Sequence, residues 1–179
     1  MATSAAPYGF RPIGLLGSGS WSDSIRHISI ASGYNTQIFY GDAVKIVSSG
    51  TIEKDAGTTT MTPCGIFVGC RYTDPNTSQL TFAQQWTADL AASDAFAYVV
   101  DDPNVVWQVQ ASGTLAQTAL GNNIGVTQTA GSTAIGTSKN SVTIGTLAAT
   151  KTLPLRIIGF VDATGDSCAS HQYQDTTGI

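Results

Sequence analysis

Charge is scarce in this chain. Only 11% of its 179 residues are Asp, Glu, Lys or Arg, against about 25% in a typical globular domain, and Glu53 is the single glutamate. Water-exposed helices usually carry Glu, Lys and Arg on their outer face, so this scarcity argues against long amphipathic helices. The formal net charge is −4, and no Lys or Arg occurs between Arg71 and Lys139. Phosphate binding needs a stripe of cations, which makes nucleic acid an unexpected partner. Asp74, Asp89, Asp94, Asp101 and Asp102 fall within that cation-free span; a solvated acidic face is the simplest account of them.

Long apolar runs are also missing. No stretch approaches the 18 or more apolar residues of a membrane span, and the opening MATSAAP lacks the basic region and apolar core of a secretory signal. The expectation is a protein made and kept in the cytosol, away from membranes, with Cys64, Cys70 and Cys168 reduced. Three thiols cannot all pair within one chain. Cys64 and Cys70 lie six residues apart in one apparent strand, about 20 Å at ~3.3 Å per residue. That spacing suits neither a mutual disulfide nor a shared zinc, and buried small hydrophobes are the expected role.

Signatures of catalysis are absent as well. No GxxxxGK phosphate loop and no GxSxG nucleophile elbow occurs. Imidazole comes only from His27, in an alternating segment, and from His171, in a polar one. Asp101 and Asp102 precede Pro103, and adjacent residues of a strand point to opposite faces, so they read as turn residues. The sequon Asn76-Thr77-Ser78 carries little weight without an export signal. No catalytic residue, metal or cofactor is expected, and the chain does not read as an enzyme.

What is present favours strands. Hydrophobic residues make up 42% of the chain and glycines number nineteen; Thr, Val, Ile and aromatics suit a pleated surface, while Gly supplies turns. Strand patterns run through SIRHISIA at 24–31, TQIFYGDAVKIVSSGTIEKD at 36–55, PCGIFVGCRYT at 63–73, QLTFAQQW at 79–86, DAFAYVV at 94–100, NVVWQVQA at 104–111 and LPLRIIGFVD at 153–162. Thr114 to Leu120 ends at Gly121 and predicts one short helix. Residues 122–150, rich in Gly, Ser and Thr, read as loops or short edge strands. The fold class is therefore all-β: a single small antiparallel barrel or sandwich with at most one short helix.

Three segments follow: an extended arm over 1–23, a β-rich domain over 24–162 and a polar tail over 163–179. The arm mixes Tyr8, Phe10, Ile13, Leu15, Leu16 and Trp21 with Gly and Pro at no fixed period. A disordered tail is normally poor in aromatics, so this one is expected to lie against something apolar, either its own core or a partner. Aromatics and Arg dominate interface hot spots. Tyr8, Phe10, Arg11 and Trp21 are the candidate partner-binding residues, anchoring a segment that is mobile in the free protein.

PYGFRP at 7–12, IASGYNTQIFYGDAVKI at 30–46, PCGIFVGCRYTDP at 63–75, Trp86, AYVVDDPNVVWQV at 97–109, LPLRIIGFVD at 153–162 and the ending HQYQDTTGI together give a chain that resembles the cement, or decoration, proteins of tailed-bacteriophage heads, common in phages of aquatic bacteria. The resemblance implies a small all-β virion protein, assembled in host cytoplasm, that sits on the outer capsid surface and bridges neighbouring major capsid proteins. It further implies a homo-oligomer, a trimer in preference to a dimer, since shell proteins occupy symmetric sites. Two rival functions come from other classes. One is a tail-associated receptor- or carbohydrate-binding module, with Trp86 or Trp107 lining a groove; the other is a small hydrolase built around His27.

Overall fold

The computed structural model describes residues 6–17, 19–21, 24–161 and 170–175. Twelve strands run through them: β1 (Arg11–Leu15), β2 (Ile25–Ser29), β3 (Ala43–Ile46), β4 (Ile52–Lys54), β5 (Gly65–Thr73), β6 (Leu80–Ala83), β7 (Phe96–Val100), β8 (Val105–Gln110), β9 (Asn123–Thr127), β10 (Ser141–Ala148), β11 (Leu155–Phe160) and β12 (Ser170–Asp175). A short 3-10 turn spans Gln117–Ala119. It ends near Gly121, whose φ of 83° is the left-handed backbone that stops a helix and favours glycine.

The strands form two antiparallel six-stranded sheets. The first has the order β1-β8-β12-β11-β9-β10; the second has β2-β7-β5-β3-β4, with β6 pairing β5 from the side. Alternation sets which side chains meet between them. In β8, Val105, Trp107 and Val109 point inward, while Gln108 and Gln110 stay half-buried. The inward set joins Ile124, Val126, Val142, Leu155 and Ile157 of the first sheet and Ala43, Ile66 and Val100 of the second in one core. This makes the architecture a sandwich.

The second sheet buries its other face too. Val44, Phe67, Cys70, Ala97 and Val99 pack with Ile30, Ile38 and Trp86 from the connecting segments. A strand covered on both faces needs an unbroken apolar run, which is why GIFVGC of β5 does not alternate. Trp86 sits at its centre, its indole N–H donating to the Tyr34 carbonyl at 3.2 Å and its ring meeting Tyr72 edge-on.

Three sequence expectations change here. The extended arm is part of the domain: β1 pairs with β8 from Arg11↔Gln108 to Leu15↔Val105, and Phe10 is buried in the shared core, edge-on to Trp107 at 6.5 Å. The reason is that β8 offers a free edge and Phe10 fills the space beside Trp107. Residues 122–150 hold β9 and β10, and β9 is interior to its sheet, between β11 and β10. The polar tail contributes β12, between β8 and β11, because backbone hydrogen bonding to two neighbours does not depend on side-chain polarity.

The entry of the chain into β1 depends on two glycines. Gly9 has φ 75° and Gly41 φ 85°, and their backbones cross so closely that a Cβ on Gly9 would sit 2.6 Å from the Gly41 carbonyl oxygen. Phe10 N–H donates to that same carbonyl at 3.0 Å, and Gly9 N–H donates to Asn140. Only glycine provides both the backbone conformation and the clearance.

Candidate functional site

Most polar chemistry of this chain is spent on holding the fold. Asp42 follows the Gly41 crossing and is 0% exposed. Its Oδ1 accepts from Ser138 Oγ at 2.6 Å and Asn140 Nδ2 at 3.1 Å; its Oδ2 accepts from Phe39 N–H at 3.0 Å and meets Lys54 Nζ at 2.8 Å. The donors converge from three segments, the 137–140 loop supplying two of them, so the carboxylate ties the second sheet to that loop. Asp55 is buried likewise and accepts from Gly57 and Thr62 N–H groups, both at 2.9 Å.

The adjacent Asp101 and Asp102 serve different neighbours, as opposite faces require. Asp101 pairs with Arg26 at 2.6 Å, and Asp102 accepts from Asn104 N–H at 2.8 Å and Ser24 Oγ at 3.2 Å, closing the turn into β8. Asp94 accepts from Thr73 Oγ1 and N–H, which hold its carboxyl below the usual carboxylate range. His27 is exposed, and its ring lies edge-on to Tyr98 at 4.8 Å. Among the described residues no group of three or more His, Cys, Asp or Glu gathers around a common point that suits a metal. His171 and Cys168 lie outside the residues whose side chains are described.

Among the described residues two thiols are free, Cys64 half-buried and Cys70 buried. Burial pushes Cys70 up to about 12, and burial together with the Asp101 charge pushes Cys64 up to about 11. Both therefore stay protonated near neutrality, when the thiolate is the reactive form. In a Cys168→Ser background the native protein at pH 8 is expected to react slowly with a disulfide reagent, Cys64 before Cys70, and both thiols at once in denaturant. Cys70 reacting at the rate of a free thiol would contradict this. A raised folded pKa stabilises fully below the unfolded value of 9.0 and is lost as pH rises towards the folded value; Cys70→Ala should flatten that alkaline loss.

The four candidate partner-binding residues separate. Phe10 belongs to the core and has no ring face left for a partner. Trp21 is half-buried and packs against the same core. Tyr8 and Arg11 stay together at the surface, the guanidinium 4.3 Å from the ring centroid. Trp86 and Trp107 are both buried, so neither lines a carbohydrate groove. A concavity beside Cys64, Asp101 and Trp107 has about 20 Å³, room for about one water. Another is an open depression lined by Leu16, Leu120 and Ile158 with Arg156.

A face absent from the sequence expectations stands out instead. Cross-strand partners share a face, and the pairs Arg71↔Phe82 and Arg71↔Phe96 set Phe82, Arg71 and Phe96 in one row across β6, β5 and β7. The Arg71 guanidinium lies 5.2 Å from the Phe96 ring centroid. The first sheet covers Ile66 and Val100 further along these strands, but Arg71, Phe82 and Phe96 belong to neither core. Phe82 (67% exposed), Ile135 (64%) and Leu80 (54%) are the most exposed large apolar side chains among the described residues. The sequence signal for this row was present, since Phe82 and Leu80 alternate with Thr81 and Ala83, but their outward direction depends on pairing with β5.

Comparison with protein-family models, curated proteins and solved structures gives no match.

Proposed function

We propose that this chain is a structural virion protein that binds the outer surface of a tailed-phage head and stabilises contacts between major capsid proteins. The observation that carries this reading is the division of labour among its side chains: Asp42, Asp55, Asp101 and Asp102 are engaged in structural bonds, while Phe82 stands exposed in one row with half-buried Arg71 and Phe96. Such a face suits protein recognition, where aromatics and Arg are enriched and most charge is depleted. The resemblance of residues 7–12, 30–46, 63–75, 97–109 and 153–162 to head decoration proteins supplies the setting.

Closed symmetry on a shell favours a trimer over a dimer, and a non-enzymatic role is the proposal for activity. The tail-associated receptor- or carbohydrate-binding alternative loses its groove with Trp86 and Trp107 buried. The hydrolase alternative has His27 packed on Tyr98 with no serine or aspartate partner among the described residues.

The test uses heads of a tailed phage that encodes this chain, assembled without it. Purified protein added back is expected to occupy symmetric external sites and raise the temperature at which heads rupture. Absence of binding, or a monomer bound as isolated single copies, would overturn the head role and the trimer respectively.

A further inference from the structure

We propose that the Phe82, Arg71 and Phe96 row, flanked by Leu80 and Ile135, is the surface that docks on the head, and that it receives an apolar patch of the capsid protein carrying a carboxylate for Arg71. The inference rests on the head-binding role and adds which face engages and what the partner must present.

Three observations converge on it. First, the three most exposed large apolar side chains among the described residues belong to β6 and to a turn beside it. Leu80 and Phe82 lie on one face of β6, and the turn bearing Ile135 abuts its end, since a Cβ on Gly136 would touch the Gln84 side chain at 3.5 Å and Gln85 Nε2 donates to Thr133 at 3.4 Å. Contiguous exposed apolar surface on a folded domain marks an interaction site.

Second, β6 is an edge strand with sequence LTFA and no neighbour on its outer side among the described residues. Exposed edges are normally blunted by Lys or Pro. This one carries neither, as fits an edge that a partner covers.

Third, Arg71 has a carboxylate near it but no ion pair: its charge helps to hold Asp94 low, yet the two do not touch. Its Nε is buried and makes no hydrogen bond, and among the described residues no carboxylate lies within ion-pair distance of it. Asp94, which feels the Arg71 charge, spends both carboxylate oxygens on Thr73, which leaves the guanidinium without a direct ion pair. A guanidinium stacked on a phenyl ring presents its remaining donors in a fixed planar fork that matches a carboxylate. The geometry therefore selects an acidic residue set among apolar ones, and a partner without it would bury an unpaired cation.

The test measures affinity of the full-length protein for heads assembled without it. Phe82 is too exposed to matter to the fold, so Phe82→Ala should keep the melting temperature and lose about 30-fold or more in affinity, the factor of a hot-spot truncation. Arg71→Glu should abolish binding, and Arg71→Lys should weaken it because an ammonium cannot reproduce the stacked fork. Arg11→Ala, on the Tyr8 pair, serves as a surface control with little effect. Wild-type affinity for both Phe82→Ala and Arg71→Lys overturns the docking face while leaving the head role standing. Failure of the unaltered protein to bind heads overturns both. Loss of self-association in Phe82→Ala with head binding intact overturns it too, by making this the contact between copies.

Discussion

Replacing Asp42 by alanine should cost about 3–5 kcal/mol, the range for breaking a buried ion pair by removing one partner. The cause is what remains. Lys54 keeps its charge with 12% side-chain exposure, and the donors on Phe39, Ser138 and Asn140 lose their acceptor in a site closed to water. Asp42→Asn keeps the shape and part of the bonding, so it should cost less, and Lys54→Met in the Asp42→Ala background should recover part of the loss by removing the stranded cation. Urea unfolding monitored by tryptophan fluorescence checks the series. Equal stability of Asp42→Ala and the unaltered protein would mean that the network does not hold the 137–140 loop to the second sheet.

Phe10→Ala should be equally damaging, about 3–5 kcal/mol for a buried phenyl ring. The ring stands edge-on to Trp107 and contacts the core that joins the two sheets, so its removal leaves a cavity that neighbours on both sheets cannot close together. Deleting residues 1–20 removes Phe10, β1 and the Gly9 crossing at once and should lower the melting temperature sharply in the free protein. A mobile capsid-binding arm would give the opposite result, an unchanged fold with lost head occupancy. Arg11→Ala separates the two, because its side chain is exposed and stacks only on Tyr8; the fold should barely respond.

Legibility followed the size of the side chains. Trp107 and Val109 alternating with Gln108 and Gln110 announced β8, and the near-continuous apolar run at 63–73 announced β5 as a buried strand. The Thr114–Leu120 segment came out as a single 3-10 turn near its glycine stop. By contrast RPIGL, NIGVT and SHQYQD have too few large alternating residues to declare a face. They become strands because a neighbouring strand offers unpaired backbone groups, a condition no local window contains.

The candidate site divided in the same way. Aromatics and arginine were the right chemistry for an interface, yet composition could not tell Phe10, which faces Trp107, from Phe82, which faces solvent. By itself the sequence determined the all-β class, the lack of long helices and the low charge, because these depend on which residues are present and on periods of two along the chain. Tertiary structure alone decided that Phe10 is core, that Asp42 is a buried junction and that Arg71 lies between two phenylalanines. Each of those follows from cross-strand register and sheet stacking, which join residues far apart in the chain.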